Sequence, residues 1–269
     1  MNYHENKMLC VKAFNEYARQ FDLKNPNIKR KFKHSYDVAN YAETIGKNIF
    51  HKEEDVYVCF VIGLLHDIAR FKQWTLYSSY KDTAEFNHPY KSAEILFDEN
   101  YIENFPVDKK YYDIIKFAIA NHGALKIDET QKDETFLKFA KMIRDADKLD
   151  ILRQSMHQGQ PSFSNEFESE DISEKVLETF YKKQCVNKAD CKSVADRAIM
   201  QTAMSFDLNF DISKKIYLDN EFYMASYINY KDVLSKENSE KLYELAQFIK
   251  KSFEENFEAN NNENSNMQL

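Results

Sequence analysis

The chain contains few residues that break regular backbone structure. Its 269 residues include four glycines and four prolines, about 3% of the chain where roughly 12% is usual. Hairpin turns depend strongly on glycine, so a sandwich or barrel of many short strands is not expected. The four glycines stand far apart, which excludes the glycine-rich turns that hold dinucleotides or nucleoside triphosphates. The composition therefore predicts an all-α protein.

Cysteine pairs, long apolar runs and basic charge are also missing. The four cysteines form no C-x-x-C pair, so neither a disulfide framework nor a zinc knuckle is expected. The longest apolar run, Val56 to Leu65, is too short to span a bilayer, and the first residues lack a signal-peptide pattern. The net charge is −7, so no general basic field attracts nucleic acid. We expect a cytoplasmic protein without a membrane or nucleic-acid partner, and its oligomeric state is open.

Hydrophobic periodicity predicts helices along most of the chain. The expected helices are 5–23, 28–50, 53–69, 88–100, 108–122, 133–156, 171–185, 189–206 and 237–255. A break is expected at Gly159 and Pro161. We therefore expect a helical core at 1–158, a C-terminal helical extension packed on that core at 159–258, and a disordered tail at 259–269.

Histidines concentrate on the predicted core helices. His66 and Asp67 directly follow the apolar segment 61–65. Burying such a pair costs several kcal/mol unless its members are paired or bind a metal. Three more histidines lie on or at the ends of other predicted helices: His34, His88 and His122.

A carboxylate-rich segment lies in the predicted helix 133–156. Asp147 follows Ile143 by one turn, which directs it toward the interior more than Asp145. Taken singly, a buried histidine is more often a hydrogen-bonded core residue, and the aspartates could form a solvated face with neighbouring cations. Taken together, histidine and carboxylate on separate helices are the ligands that mid-row divalent metals favour.

The order of these residues resembles the HD superfamily of metal-dependent phosphohydrolases. The segment Gly63-Leu-Leu-His-Asp-Ile-Ala-Arg70 is similar to the signature helix of that family, and Asp145-Ala-Asp-Lys-Leu-Asp150 is similar to its last motif. Two further segments, 88–96 and 119–122, are similar to the extra histidine motifs of the subset with a binuclear centre. The resemblance covers residues 30–155 and implies an HD-type helical bundle.

The resemblance also implies a set of ligands for two divalent transition-metal ions (Mn, Fe, Co, Ni or Zn): His34, His66, Asp67, His88, His122 and Asp147. In that scheme Asp67 bridges the two ions. The tetrapeptide after His122 begins Gly123-Ala, where the cyclic-dinucleotide phosphodiesterases of the family carry Gly-Tyr-Pro, and Ala69 replaces a glycine that is common in the family. Hydrolysis specific for cyclic dinucleotides is therefore not expected.

The implied reaction is hydrolysis of a phosphate ester or anhydride in a nucleotide or other small phosphorylated metabolite. A hydroxide formed between the two metals would attack phosphorus. Arg70 lies one turn after Asp67, and Lys91 lies one turn after His88, so each can share the face of its neighbour and contact phosphate. We expect Asp67, Arg70 and Lys91 to be the catalytic residues, with a surface salt bridge as the alternative for each cation.

A loop expected over residues 72–87 connects two of the ligand segments. Its aromatic residues, Trp74, Tyr77, Tyr80 and Phe86, could stack on a base, which favours a nucleotide substrate, or could pack as a lid. Two other functions remain open. One is a mixed-valent di-iron oxygenase, because some members of the superfamily use the same six ligands. The other is a noncatalytic nucleotide-binding module.

Overall fold

The computed structural model describes residues 3–157 and 171–266. Every regular element in these two segments is helical and no strand occurs in them, so the all-α prediction is confirmed. None of their helices is apolar over the length that a bilayer requires. The chain divides into two compact units, Met1–Asp150 and Ile151–Leu269. The expected break at Gly159 and Pro161 lies outside the described residues.

The first unit is built from α-helices of 6 to 24 residues, some joined by tight turns and others by longer connections. Its helices are α1 Tyr3–Ala18, α2 Pro26–Ile49, α3 Glu53–Leu65, α4 Ala69–Tyr77, α5 His88–Ala93, α6 Tyr112–Asn121 and most of α7 Glu134–His157. The sequence explains where α2 begins. The side chain of Asn25 accepts hydrogen bonds from the N–H groups of Asn27 and Ile28, and Pro26 occupies the first turn, where proline lacks only an N–H that would be unpaired anyway.

Two glycines let α2 and α3 pack closely. A Cβ on Gly63 would lie 2.7 Å from the Cα of Ala39 and 2.9 Å from the carbonyl oxygen of Val38. A Cβ on Gly46 would lie 2.9 Å from the Sγ of Cys59. At Gly63 the added Cβ would meet backbone atoms of α2, which cannot move aside by a side-chain rotation. The scarce glycines therefore set the spacing of this helix pair.

The prediction of a loop over 72–87 is wrong for its first part, because α4 continues to Tyr77. The ring of Phe71 is fully buried and meets the rings of Phe14 and Tyr17 edge-on, which packs α4 against α1. Gln73 on the same helix is also fully buried. A buried polar residue interrupts the apolar periodicity, so the pattern did not indicate a helix.

Aromatic stacking positions α7 on the end of α2. The rings of Phe139 and Phe50 are stacked with their centroids 4.4 Å apart. Lys138 donates a hydrogen bond of 2.5 Å to the carbonyl oxygen of Ile49, one of the carbonyls that the end of α2 leaves without a helical partner. These contacts fix α7 in the first unit, with its aspartate-rich middle on the side of α2 and α3.

The second unit contains short helices and one long C-terminal helix around an aromatic core. They are α8 Glu174–Tyr181, α9 Val194–Ala203, α10 Asp211–Asp219, α11 Ala225–Tyr230 and α12 Lys236–Asn266. Asp196 is fully buried and accepts hydrogen bonds from the N–H and hydroxyl of Ser173 and from the N–H of Lys192. It thereby joins the start of α8 to the start of α9. The ring of Phe180 packs on those of Phe206 and Phe248.

The last helix differs from the expected tail. α12 continues to Asn266, whereas the sequence predicts disorder from residue 259. Each residue added to an existing helix gains one hydrogen bond for the entropy lost in ordering it. Starting a new helix orders several residues for a single hydrogen bond and is therefore unfavourable. A helix that is anchored by buried residues such as Leu245 and Ile249 can therefore extend into a segment that lacks an apolar face.

The spacing of α2 and α3 predicts the effect of adding one methyl group. In Gly63→Ala the new Cβ meets backbone atoms of Val38 and Ala39, so we expect unfolding to require about 1–3 kcal/mol less free energy, despite the better helix propensity of alanine. Urea denaturation measures this change. In Gly46→Ala the new methyl group meets the Cys59 side chain, and we expect a change below about 1 kcal/mol. Equal stability of Gly63→Ala and the unmodified protein would contradict the close packing.

Candidate metal centre

The six residues predicted as ligands converge within the first unit. His34 comes from α2, His66 and Asp67 from the corner between α3 and α4, His88 from the start of α5, His122 from the end of α6, and Asp147 from α7. The side chain of Asp147 is 15% exposed, and the other five residues are buried. Helix α3 ends at Leu65, before the predicted residue 69, because the chain turns at this corner.

One group of atoms surrounds His34. Its Nε2 lies 3.1 Å from Oδ1 of Asp147 and 3.3 Å from Nε2 of His66. The Oδ2 atom of Asp67 lies 3.5 Å from Nε2 of His34 and 3.6 Å from Nε2 of His66. Asp145, two residues before Asp147, is fully buried but belongs to no His/Asp group of metal-binding geometry within the described segments.

A second group lies on the other side of Asp67. The Nε2 atoms of His88 and His122 are 3.1 Å apart. Each lies close to Oδ1 of Asp67, at 3.5 Å for His88 and 3.6 Å for His122. The two oxygens of one carboxylate therefore face two different pairs of imidazoles.

Each imidazole is held by its other ring nitrogen. The Nδ1 atoms lie within hydrogen-bond distance of an acceptor: His34 with Oδ2 of Asp150 at 2.5 Å, His66 with the carbonyl of Gly63 at 2.7 Å, His88 with Oδ2 of Asp82 at 2.6 Å, and His122 with the carbonyl of Ile119 at 2.7 Å. These acceptors require a proton on Nδ1, which leaves the lone pair of Nε2 directed into the centre. Metal-binding histidines in proteins are oriented in this way.

Burial keeps two of the histidines neutral. It lowers the pKa of His66, and it lowers the pKa of His88 to about 4 against the opposing effects of Asp82 and Asp67. The pKa of His34 is raised, because the hydrogen bonds and charge of Asp147 and Asp150 outweigh burial and the charge of Lys31. A metal binds the neutral imidazole, so His66 and His88 are in the binding-competent form at neutral pH.

The carboxylates of the centre are ionised. For Asp67, burial acts to raise the pKa, but the charge of Lys31 and the neighbouring histidines outweigh it and hold the pKa well below its usual range. The Nζ atom of Lys31 lies 2.7 Å from Oδ2 of Asp67. For Asp147, the close contacts with His34 and His66 likewise outweigh burial and hold its pKa well below the usual range.

The chemistry of this donor set fits a metal site. Three overlapping groups of His and Asp, drawn from the six residues, each offer ligand atoms that lie within 4.8 Å of one another. The Oδ1 atom of Asp67 is buried and has no hydrogen-bond partner in the described part of the chain. A buried anionic oxygen without a partner is costly, and a cation between Oδ1 and the two imidazoles removes that cost. These residues could therefore hold metal ions.

Arg70, predicted as a phosphate contact, lies beside the second group. Its Nη2 lies 3.2 Å from Nε2 of His88, and its Nη1 donates to the carbonyl of Tyr80 at 2.7 Å. Its Nε lies 3.5 Å from Oδ1 of Asp67 and is buried without a hydrogen-bond acceptor among the described residues. The guanidinium therefore has donors available toward the centre.

Lys91, the other predicted cation, is engaged elsewhere. Its Nζ lies 2.7 Å from Oε2 of Glu94, and both side chains are about one-third exposed or more. This is the surface salt bridge that the sequence left open as the alternative. A contact of Lys91 with phosphate stays a prediction.

Sequence reasoning missed three residues that support the centre. Asp82 binds both the Nδ1 and the backbone N–H of His88. Gln73 donates to Asp82 and to the carbonyl of Lys81, which fixes the loop. Lys31 pairs with Asp67, and its position three residues before His34 is a signal that could have indicated a shared helix face. Asp82 lies in an irregular segment, where spacing carries no such signal.

Part of the chain resembles a known protein family. Residues 32–152 match the family model of the HD domain. This range covers a little under half of the chain and includes all six residues of the centre. No curated protein and no solved structure matches the chain.

The contact between Asp82 and His88 predicts a selective loss of metal affinity. In Asp82→Ala the imidazole loses the acceptor that orients it, so we expect metal binding at the His88 and His122 position to weaken about 10–100-fold. Calorimetric titration of the metal-free protein with Mn²⁺ or Co²⁺ measures this change. Glu85→Ala, an exposed carboxylate of the same loop, is the matched control and should bind as the unmodified protein does. Unchanged binding in Asp82→Ala would show that this hydrogen bond does not support the site.

Proposed function

We propose that the protein is a metal-dependent phosphohydrolase, because residues 32–152 match the family model of the HD domain. The domain belongs to a superfamily whose members are generally metal-dependent phosphohydrolases. The proposed reaction is cleavage of a phosphate ester or anhydride in a nucleotide or another small phosphorylated metabolite. The proposed cofactors are two divalent transition-metal ions, chosen from Mn, Fe, Co, Ni and Zn because imidazole and carboxylate ligands suit them.

One observation carries this proposal: the carboxylate of Asp67 is buried between two groups of ligands. Its Oδ2 faces His34 and His66, and its Oδ1 faces His88 and His122. Asp147 completes the first group. This arrangement supports one ion on each side of Asp67, with His34, His66 and Asp147 holding the first and His88 and His122 holding the second.

Two such ions, when bound, would supply Lewis acidity and lower the pKa of a water molecule, which provides a nucleophile near neutral pH. The residues around the two ions exclude water from the centre and hold the ligands in fixed orientations. Five of the six ligands are buried, so electrostatic interactions in the centre are stronger than in water. The hydrogen bonds to Nδ1 of each histidine hold the ligands in place without further reorganisation.

Arg70 is the proposed phosphate contact of this chain. Once Nε2 of His88 binds an ion, it no longer accepts from Nη2 of Arg70, and Nε of Arg70 already has no acceptor. The guanidinium then has two N–H groups for phosphoryl oxygens, a pairing that is frequently bidentate. The carbonyl of Tyr80 and the side chain of Gln73 hold Nη1, so the fork keeps its orientation.

The proposal predicts that Asp67 is required for both metals and for turnover. We expect Asp67→Asn to lower phosphate release at least about 1,000-fold and to reduce the metal content from two ions per chain to fewer than one. A screen of phosphomonoesters, dinucleotides and nucleoside triphosphates with Mn²⁺, Fe²⁺, Co²⁺, Ni²⁺ or Zn²⁺ measures the first quantity, and elemental analysis measures the second. Asp113→Asn, an exposed carboxylate on α6, is the control and should retain both.

Two results would overturn the hydrolase assignment. Oxygen consumption with substrate after anaerobic loading with iron, without phosphate release from any ester, would indicate the oxygenase chemistry of the same ligand set. Tight binding of a nucleotide without product under every metal would indicate a binding module. Two ions per chain in Asp67→Asn would show that Asp67 does not bridge them.

A further inference from the structure

The start of α2 carries positive charge where a helix disfavours it. Lys29, Arg30, Lys31 and Lys33 occupy its first two turns, and its first turn contains no acidic residue. The N-terminal end of a helix has a partial positive charge and is stabilised by anions, by about 0.3–1 kcal/mol each. Cations here therefore lower the stability of α2. They do so in a chain whose net charge is −7, so they are not a consequence of a basic composition.

Most of these cations have no carboxylate partner. Lys31 pairs with Asp67 at 2.7 Å. Lys29, Arg30 and Lys33 are exposed and form no ion pair among the residues that the structure describes. A local charge that opposes the helix dipole and is left uncompensated suggests an external anion as its partner.

The ring of Tyr80 gathers three cations next to the candidate metal centre. The Cζ of Arg30, the Nζ of Lys31 and the Cζ of Arg70 lie 5.7, 5.7 and 5.6 Å from its centroid. Tyr80 is fixed at both ends, since its hydroxyl donates to the carbonyl of Asn27 at 2.9 Å and its own carbonyl accepts from Arg70. The ring attracts each cation, so the three charges lie close to one aromatic side chain.

These cations form a path that leads outward from Asp67. Lys31 and Arg70 both contact Asp67, and Arg70 also lies 3.3 Å from Asp82. Arg30, by contrast, is exposed and has no carboxylate against it in the described segments. Two carboxylates thus balance the inner two cations, while the outermost charge remains available. Like charges gathered around one ring repel one another, and an anion between them relieves that repulsion.

We infer that Arg30, Lys31 and Tyr80 form a second phosphate position beside the metal centre, and that the substrate carries at least two phosphate groups. One phosphate would lie at the metals with Arg70, and the other would lie against Arg30 and Lys31. Arginine and lysine are the residues that bind phosphate by paired hydrogen bonds and by point charge, respectively. This inference rests on the proposed function, because it names the substrate class of the same site.

The only tryptophan of the chain is placed to report on this position. Trp74 lies with its ring centroid 5.0 Å from that of Tyr80. An anion that draws Arg30 and Lys31 away from the Tyr80 ring changes the surroundings of that ring pair. Tryptophan fluorescence of the full chain therefore measures occupation of the second phosphate position without any turnover.

The inference predicts a preference for two linked phosphates that depends on Arg30. We expect the metal-loaded protein to bind inorganic pyrophosphate at least about 10-fold more tightly than orthophosphate, and Trp74 fluorescence and calorimetry measure both affinities. Arg30→Gln should remove most of that preference, because it removes the exposed cation from the Tyr80 ring. Lys33→Gln makes the same change of charge one turn away, without a contact to that ring, and should keep affinities within about twofold.

The outcomes separate this inference from the proposed function. Equal binding of pyrophosphate and orthophosphate, or equal losses in Arg30→Gln and Lys33→Gln, would overturn the second phosphate position, even if the metal-loaded protein hydrolyses monophosphates. Arg30-dependent binding of pyrophosphate would support the position even if no ester is hydrolysed. With an active enzyme, Arg30→Gln should raise KM for a substrate with two phosphates and leave KM for a monophosphate within about twofold.

Discussion

The buried negative charge of Asp67 is the constraint on which the first unit depends. Removing a carboxylate from water costs several kcal/mol unless cations or hydrogen bonds compensate it. Here Lys31 and Arg70 approach it from two helices, and four imidazoles surround it at 3.5–3.6 Å. The packing of α2 against α3, the turn after Leu65 and the placement of the loop before His88 all serve to bring these groups to one carboxylate.

The helix ends supply the orientation of the ligands. His66 and His122 each follow the last residue of a helix, and each Nδ1 binds the carbonyl three residues earlier, at Gly63 and Ile119. Such carbonyls at a helix end lack a partner within the helix, so one hydrogen bond satisfies the backbone and directs the imidazole. His88 stands at the start of α5, where the free backbone groups are N–H donors. An acceptor for its Nδ1 must therefore come from elsewhere, and the loop provides Asp82.

Features of the first unit that depend on residues close together in the sequence were predicted, and features that depend on tertiary contacts were not. The apolar run before His66 and the turn spacing of Asp147 are local patterns, and they indicated two candidate ligand segments, while the resemblance to the HD superfamily implied the full set of six. Asp82 and Gln73 act through a loop whose course depends on burial against other helices, so no periodicity indicated them. The same limit hid α4, since a fully buried Gln73 resembles a loop residue until the surrounding helices are in place. Lys91 shows that one spacing can suit two partners, because the same position on the helix face allows the observed ion pair with Glu94 as well as the predicted contact with phosphate.

The candidate ligands are spread widely along the chain, from His34 to Asp147. Two ions that bind them would act as reversible cross-links between distant parts of one polypeptide, and closing long loops removes more conformational freedom from the unfolded chain than closing short ones. The free energy of metal binding then becomes free energy of folding. In such a protein the concentration of available metal determines how much destabilisation of the helix packing the fold can tolerate. Mildly destabilising core substitutions would then have no effect when metal is plentiful and would be harmful when it is scarce.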